Sequence, residues 1–145
     1  MFKSILVPFD GSTGAEGALR KAIDLARLCG ARLTVLTVYR HHSMLEASLS
    51  MVRKDDPGNL DDVMRDYAKE VAAHAKAICK EAGLEDVRAF VKSGQPARTI
   101  VHFAEEHGYD LIVLGSRGLG SIENYLLGSV SHKVTGLADC PVMVV

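Results

Sequence analysis

Five short apolar runs recur along the chain, and each is too short to form a helix. They are rich in Val, Ile and Leu, and they comprise Ile5–Val7, Leu33–Val38, Val87–Val91, Leu111–Leu114 and Val142–Val145. The first, fourth and fifth runs are continuously apolar, which is typical of strands in a parallel sheet that is covered on both faces. The runs therefore predict five β-strands.

The segments between these runs have the period of amphipathic helices. Apolar residues recur every three or four positions from Ala15 to Ala26, Leu60 to Ile78, Ala97 to Ala104 and Val130 to Ala138. The first three stripes are followed by glycines, as helices commonly are: Gly30, Gly83 and Gly108. Pro96 precedes the third stripe, where proline suits a first helical turn. Strand and helix thus alternate, which predicts an α/β fold with right-handed crossovers and helices on both faces of the sheet.

Residues 40–59 interrupt this alternation. Met44 to Val52 is only weakly periodic, and Lys54–Asn59 is rich in residues that favour turns. We predict a variable loop or insertion here. Its apolar residues can form a lid or partner surface, or a short helix that covers the edge of the sheet.

Length and composition narrow the class of protein. The chain has 145 residues, which predicts a single domain over residues 1–145, and its hydrophobic fraction of 48% is typical of globular proteins. Seventeen Lys and Arg against eighteen Asp and Glu give a net charge of -1, which disfavours nucleic acid as a partner. No apolar run approaches the ~20 residues that span a bilayer, and no signal-peptide pattern is present, so we expect a cytoplasmic protein without a membrane partner.

The cysteines and histidines suggest no metal or redox chemistry. Cys29, Cys79 and Cys140 are widely spaced, and an odd number cannot pair completely in one chain, so we interpret them as small buried hydrophobes in a reducing compartment. His102 and His107 are five positions apart, a spacing that does not place them on one helical face. We therefore expect no histidine metal site.

The loop after the first strand contains the first candidate for chemistry. Ligands of open α/β sheets bind beyond the carboxyl ends of the strands, where the chain departs in opposite directions. Asp10 follows the strand directly, so its carboxylate can accept a hydrogen bond from a ribose hydroxyl or hold a hydrated Mg²⁺. The alternative is a carboxylate favoured only by the dipole of the next helix. Thr13 and Glu16 have the spacing of a capping box, which would simply start that helix.

The loop after the fourth strand is rich in glycine. Gly115, Gly118 and Gly128 would let backbone N–H groups approach an anion, and Gly128–Ser131 opens the last helix, whose N-terminus attracts phosphate. No Lys-Ser/Thr pair follows Gly120, and the glycines follow the fourth strand rather than the first. Neither a Walker A loop nor a dinucleotide fingerprint is therefore present. A plain glycine-rich connector is the alternative to phosphate binding.

These residues resemble a known family. Gly115-x-x-Gly118, followed after nine residues by Gly128-Ser129, resembles the signature of ATP-binding universal stress proteins. The opening Ile5–Ser12 and the ending Asp139–Val145 are also similar to that family, so the resemblance covers nearly the whole chain. It implies a Rossmann-like, five-stranded parallel sheet in the order 3-2-1-4-5, with ATP lying across the switch between strands one and four.

The resemblance also implies roles for individual residues. Asp10 would face the ribose or Mg²⁺, Val38 would offer backbone groups to the adenine, and Gly128–Ser131 would hold the phosphate tail. The full set of implied nucleotide contacts is Pro8, Phe9, Asp10, Val38, Gly115, Ser116, Arg117, Gly118, Gly128, Ser129, Val130 and Ser131. A homodimer through the last strand, Val142–Val145, is implied as well, and an unpaired apolar edge strand favours such pairing on physical grounds.

The sequence shows a phosphate cradle more clearly than a catalyst. Arg117 can contact phosphate oxygens or point to solvent, and Glu123 is a candidate base only because it lies near the loop in sequence. His132 and Lys133 lie past the phosphate loop, and we expect them to face away. We therefore predict no catalytic residue and, at most, weak ATP hydrolysis.

Three kinds of function fit this pattern. The first is an ATP-binding universal stress protein that acts as a nucleotide-dependent regulator, with AMP or ADP as alternative ligands. The second is a slow ATPase or phosphotransferase. The third is a dimeric interaction module of the same fold without a nucleotide.

Overall fold

The computed structural model describes residues 1–40, 57–116 and 127–145. The strands are β1 (Ser4–Pro8), β2 (Arg32–Tyr39), β3 (Arg88–Ser93), β4 (Leu111–Leu114) and β5 (Val142–Val144). The helices are α1 (Thr13–Cys29), α2 (Pro57–Glu81), α3 (Pro96–His107) and α4 (Ser129–Leu137). Each predicted strand and helix is therefore present, with boundaries that differ by a few residues.

The strands form one five-stranded sheet in the order β3-β2-β1-β4-β5. All the neighbouring strands are parallel, and Ile5 of β1 lies opposite Leu33 of β2 and Leu111 of β4. The α/β class and the strand order are thus confirmed. Because β1 lies between β2 and β4, the chain leaves the two central strands in opposite directions at their carboxyl ends.

The strands β1 and β4 are buried on both faces of the sheet, which explains why they are continuously apolar, whereas β5, also continuously apolar, was expected to be covered in the same way and is only partly buried because it lies at the edge of the sheet. Ile5 and Val7 belong to the core beneath α1 and α2, whereas Leu6 belongs to the core that α3 and α4 cover on the other face. Successive side chains of a strand point to opposite faces. A strand covered on both sides therefore needs apolar residues at every position.

The start of α1 differs from the predicted capping box. Ser12 is the N-cap, and its Oγ accepts a hydrogen bond of 3.1 Å from the N–H of Ala15, whereas Thr13 is already helical. The expectation that Thr13 and Glu16 form the cap was wrong. The backbone of Ser12 is extended, as a cap requires, and the helix begins one residue later.

The predicted variable segment is shorter than the sequence indicated. Residues 57–59 were expected in a loop, but they form the first turn of α2. Proline at a helix start loses no hydrogen bond, and its fixed φ suits the first turn, so Pro57 begins the helix rather than preventing it. The possible lid or short helix from Met44 to Val52 lies outside the described residues.

Cys79 confirms the interpretation of a small buried hydrophobe. It is fully buried in the core between α1 and α2, and burial raises the pKa of its thiol to about 11. Cys29 and Cys140 are half-buried and unpaired. In the part of the chain that the structure describes, no helix is long and apolar enough to cross a membrane, and no cluster of His, Cys, Asp and Glu could hold a metal ion.

Candidate functional site

A cavity of about 450 Å³ opens at the carboxyl ends of the strands, where β1 and β4 diverge. It is lined by Pro8, Phe9, Asp10, Ser12, Ala15, Leu36, Val38, Arg40, Pro96, Ile100, Leu114, Gly115, Gly128, Ser129, Val130 and Ser131. This volume is within the usual range of small-molecule pockets, ~300–1,000 Å³. The site has an apolar end, a carboxylate and a helix N-terminus.

The loop after β1 fixes the carboxylate of Asp10. Its Oδ1 accepts a hydrogen bond of 2.9 Å from the N–H of Ser12, which closes a short turn across Gly11. Gly11 has φ 86°, a conformation that residues with side chains rarely adopt. Within the described residues Oδ2 has no hydrogen-bond partner, so this oxygen can accept from a ligand hydroxyl or contact a metal.

The apolar end of the cavity is formed by the end of β2 and the start of α3. The N–H of Phe9 donates to the Leu36 carbonyl, and Thr37 Oγ1 donates to the Phe9 carbonyl, each at 2.9 Å. These bonds hold the exit of β1 against β2. Val38, Pro96 and Ile100 then provide an apolar wall with Arg40 beside it, an arrangement that suits a flat, weakly polar ring.

The N-terminus of α4 provides the opposite, electropositive end. Gly128 is the N-cap, no side chain of the described residues caps the helix, and the first turn contains no acidic residue. The first helical hydrogen bond joins the His132 N–H to the Gly128 carbonyl at 2.9 Å. The N–H groups of Ser129, Val130 and Ser131 precede it and have no helical acceptor. Together with the helix dipole, they favour an anion.

Ser131 and Ser116 connect this helix start to the end of β4. The Ser116 carbonyl accepts hydrogen bonds from the Gly128 N–H at 2.6 Å and from Ser131 Oγ at 2.8 Å. Ser131 Oγ also lies 3.1 Å from the Gly128 carbonyl, and the residue is only 3% exposed. The hydroxyl proton of Ser131 is therefore used inside the protein, although the residue lines the cavity.

Gly115 has a packing role that the sequence did not reveal. A Cβ added at Gly115 would lie 2.8 Å from the backbone carbon and oxygen of Gly14. Only a glycine allows the end of β4 to approach the first turn of α1 so closely. The first glycine of the signature thus holds the two loops of the site together.

The structure brings most of the predicted contacts to one cavity. Of the described candidates, all line it except Ser116, which lies behind the start of α4 and anchors it. Arg117, Gly118 and Glu123 lie outside the described residues. His132 and Lys133 are exposed and do not line the cavity. Whether the lining residues contact a ligand stays a prediction.

Some lining residues were not predicted from the sequence. Arg40 follows β2 directly, so the rule that ligands bind at the carboxyl ends of strands could have found it. Ile100 was assigned to the apolar stripe of a helix and Pro96 to the first turn of that helix, and only the crossing of α3 over the end of β2 makes them part of the wall. That crossing is tertiary, and no local signal shows it.

Comparison with known proteins identifies the class. Residues 1–145 match the universal stress protein family, so the chain belongs to that family. It is 36% identical over 148 residues to the universal stress protein YxiE of Bacillus subtilis (strain 168), with 100% of this chain and 99% of the relative covered.

Solved structures share the fold. The hypothetical protein MJ0577, described as a test case of structural genomics, has a TM-score of 0.83 and 29% identity, with 100% of this chain and 96% of that chain covered. A universal stress protein in complex with cAMP has a TM-score of 0.75 and 25% identity, with coverage of 99% and 97%. The universal stress protein from Archaeoglobus fulgidus in complex with dAMP has a TM-score of 0.67 and 28% identity, also with coverage of 99% and 97%.

Proposed function

We propose that this protein binds an adenine nucleotide in the cavity and acts as a nucleotide-dependent regulator in the stress response, with residues 1–145 forming one nucleotide-binding domain. The observation that carries the proposal is the N-terminus of α4, which no described side chain caps and which faces the same cavity as Asp10 Oδ2, an oxygen without a hydrogen-bond partner among the described residues. The complexes of two structural neighbours with cAMP and dAMP support an adenine nucleotide as the ligand class.

The polarity of the cavity gives the ligand a direction. The base lies at the apolar end against Val38, Pro96 and Ile100, because a flat ring gains most from apolar walls. The ribose lies at Asp10, whose Oδ2 accepts from a hydroxyl, and the phosphates lie at the N-terminus of α4. This order follows the cavity from β2 across the switch point to β4.

ATP is the proposed ligand, with AMP and ADP as alternatives. A triphosphate carries a large negative charge, and the partial charge of one helix end offsets only part of it. As an alternative to the ribose hydroxyl, Asp10 Oδ2 can hold a hydrated Mg²⁺ beside the phosphates, because carboxylate oxygens suit this ion. Binding of ATP should therefore depend on Mg²⁺ more strongly than binding of AMP does.

Hydrolysis is expected to be weak. Among the described residues that line the cavity, Asp10 is the only carboxylate, and one of its oxygens is held by Ser12. Fast phosphoryl transfer needs an oriented water and charge stabilisation besides a metal. We therefore favour a regulator over a slow ATPase, and a turnover assay on protein with Mg-ATP separates the two.

The decisive experiment tests the backbone donors of α4. Ser129→Pro removes the N–H of the first helical residue, and proline is favoured at that position. Gly128 has ψ 160°, the extended conformation that a residue before proline requires, so the helix should form normally. The matched control, Ser129→Ala, removes the hydroxyl and retains the N–H.

Calorimetry with Mg-ATP, ADP and AMP gives the outcome. We expect Ser129→Pro to weaken ATP binding about tenfold or more relative to Ser129→Ala, a loss of about 1.4 kcal/mol. AMP, with one phosphate, should report whether that phosphate reaches the helix. If wild-type protein from which co-purified nucleotide has been removed binds none of these nucleotides, the proposal fails. A nucleotide-free interaction module is then the better account.

We propose in addition a homodimer through the open edge of β5. β5 is an edge strand of the sheet, and Met143 and Val145 are 38% and 39% exposed. Pairing with a second copy would satisfy the edge backbone groups and cover these side chains. Met143→Lys should shift the protein to monomers in sedimentation experiments, and an unchanged dimer would exclude this edge as the interface.

A further inference from the structure

The start of α4 is connected by hydrogen bonds to the edge of the sheet. The Ser116 carbonyl accepts from Gly128 and Ser131, as described above, and the N–H of the same residue donates to the backbone oxygen of Val145 at 2.8 Å. The N–H of Val145 in turn donates to the Leu114 carbonyl at 2.9 Å. Ser116 therefore holds the cavity on one side and the end of β5 on the other.

We propose that the hydrogen bonds from Gly128 and Ser131 to Ser116, and from Ser116 to Val145, form a relay that transmits occupancy of the cavity to the edge strand β5. In this relay Ser131 is a positioning residue rather than a phosphate ligand. The inference rests on the proposed function, because it needs an anion at the start of α4. It adds to that function a route by which a bound nucleotide regulates a surface on which a second copy can pair.

The hydroxyl of Ser131 is suited to this role by its contacts. This hydroxyl lies 2.8 Å from the Ser116 carbonyl and 3.1 Å from the Gly128 carbonyl, and the residue is buried, so its one proton is used by these internal acceptors rather than by a phosphate. The free donors of the helix start are backbone N–H groups. The ligand thus fixes the backbone of the first turn, and Ser131 and Gly128 together fix Ser116 to that turn.

The start of α4 and the end of β5 are coupled because the backbone of Ser116 bonds to both. Displacement of the Ser116 backbone from Val145 strains the two bonds that the Ser116 carbonyl accepts from α4. A disturbed first turn no longer presents its N–H groups in one direction. A ligand that binds only the closed arrangement therefore lowers the population of the open one.

The backbone of Val145 reports on this coupling from the β4 side. Its N–H and its backbone oxygen are both engaged on the β4 side, with Leu114 and Ser116. A second chain would pair with the outer edge of β5, where other backbone groups point. Protection of the Val145 amide therefore reports on its pairing with β4 and, compared between the variants below, on the effect of the Ser131 bond on that pairing.

Amide hydrogen exchange tests the proposal in wild type and two variants. Ser131→Ala removes the hydroxyl of the relay. Thr135→Ala is the matched control, because its exposed hydroxyl lies one turn later on α4 and donates to the His132 carbonyl instead. The Asp110 amide, which donates to the Ser4 carbonyl at the other end of β4, serves as an internal reference.

The first comparison uses ligand-free protein. We expect the amides of Ser116 and Val145 to exchange several-fold faster in Ser131→Ala than in Thr135→Ala, with Asp110 unchanged. Equal rates in the two variants would overturn the relay. This comparison does not depend on a nucleotide, so it separates failure of the relay from failure of the proposed function.

The second comparison adds Mg-ATP at about 100 times its measured Kd. Ligand at this level can slow a coupled opening up to ~100-fold. We expect strong slowing at Ser116 and Val145 in wild type and in Thr135→Ala. In Ser131→Ala we expect most of that slowing to be lost.

Two results would overturn the assignment of Ser131. A more than tenfold loss of Mg-ATP affinity in Ser131→Ala would make its hydroxyl a ligand contact. Slowing at Val145 in Ser131→Ala equal to that in wild type would show that the hydroxyl transmits nothing. Absence of Mg-ATP binding in wild type would overturn both the proposed function and the transmission of occupancy to β5. The exchange rates of the ligand-free protein would still test the hydrogen bond from Ser131 to Ser116.

Discussion

The helices α1 and α4 both begin beyond the carboxyl ends of the strands, but the N–H groups at their N-termini are capped differently. α1 has a side-chain cap from Ser12 and an acidic residue, Glu16, in its first turn. α4 has Gly128 as its N-cap, with no side-chain cap from the described part of the chain and no acidic residue in the first turn. A helix whose donors are satisfied by its own residues gains little from an anion, whereas one with free donors gains much. The difference predicts which of the two receives phosphate.

The largest expected effect on stability comes from pushing the end of β4 away from the start of α1. Gly115→Ala places a Cβ against the backbone of Gly14, which cannot move without shifting α1. We expect a loss of about 1–3 kcal/mol in the free energy of unfolding, the usual cost of overpacking, together with weaker nucleotide binding. Urea unfolding followed by circular dichroism measures the first effect and calorimetry the second.

Gly17→Ala is the control for this variant. Gly17 lies inside α1, and nothing lies within 4 Å of an added Cβ there. Alanine is a better helix former than glycine, so this variant should gain about 0.5–1 kcal/mol. Equal stability of Gly115→Ala and wild type would mean that the two loops are not held by this contact.

The next prediction makes α4 resemble α1. Gly128→Asp provides the side-chain cap and the negative charge that the start of α4 lacks. We expect a gain of a few tenths of a kcal/mol in stability. Affinity for ATP should fall at least tenfold, because the carboxylate occupies the donors and repels phosphate. On the same preparation, thermal melts should show the gain in stability and calorimetry the loss of affinity for ATP.

Gly128→Asn separates capping from charge. Asparagine caps as well as aspartate but carries no charge, so its affinity for ATP should lie between wild type and Gly128→Asp. If both variants bind ATP as wild type does, the N-terminus of α4 is not the phosphate site.

A smaller effect is expected when the cap of α1 is removed. Ser12→Ala loses the acceptor of the Ala15 N–H and should cost about 1 kcal/mol in the free energy of unfolding. Affinity for ATP should change little, since the donors of α4 are intact. Thr13→Ala, at the exposed first helical residue, is the control and should lie within about 0.5 kcal/mol of wild type. A large loss of affinity in Ser12→Ala would make its hydroxyl a ligand contact.

The smallest effect concerns the charge near the start of α1. Glu16 lies in the first turn and contacts His74 Nε2 of α2 at 3.2 Å. Glu16→Gln should cost a few tenths of a kcal/mol, because both the dipole interaction and the contact with His74 are largely exposed. The difference from wild type should shrink at high ionic strength in denaturant unfolding. A difference that is independent of salt would contradict an electrostatic origin.

Much of the fold follows from local patterns. The continuous apolar run Leu111–Leu114 identifies a strand covered on both faces, and the stripe from Ala15 to Ala26 with Gly30 after it identifies α1 and its end. The order of the strands required the resemblance to a family, because pairing across the sheet leaves little trace in any one segment.

The site was predicted less completely, for physical reasons. Asp10 and Gly128 follow from their positions at strand and helix ends, but the choice of Ser12 over Thr13 as cap depends on a one-residue difference in backbone conformation. The wall formed by Pro96 and Ile100 depends on how α3 crosses the sheet. The hydrogen bond from Ser131 to Ser116 joins two loops, and neither loop alone predicts it.

The position of β1 at the centre of the sheet has a consequence for synthesis of the chain. β1 pairs with β2 soon after both have been made, but its pairing of Ile5 with Leu111 closes a loop of about a hundred residues, which is slow to form. The loop that contains Asp10 is therefore made early, whereas residues 128–131, which complete the opposite wall of the cavity, are made much later. A cavity between these two loops can therefore form only after residues 128–131 have been made, and a chain that stops before them lacks the wall that α4 provides.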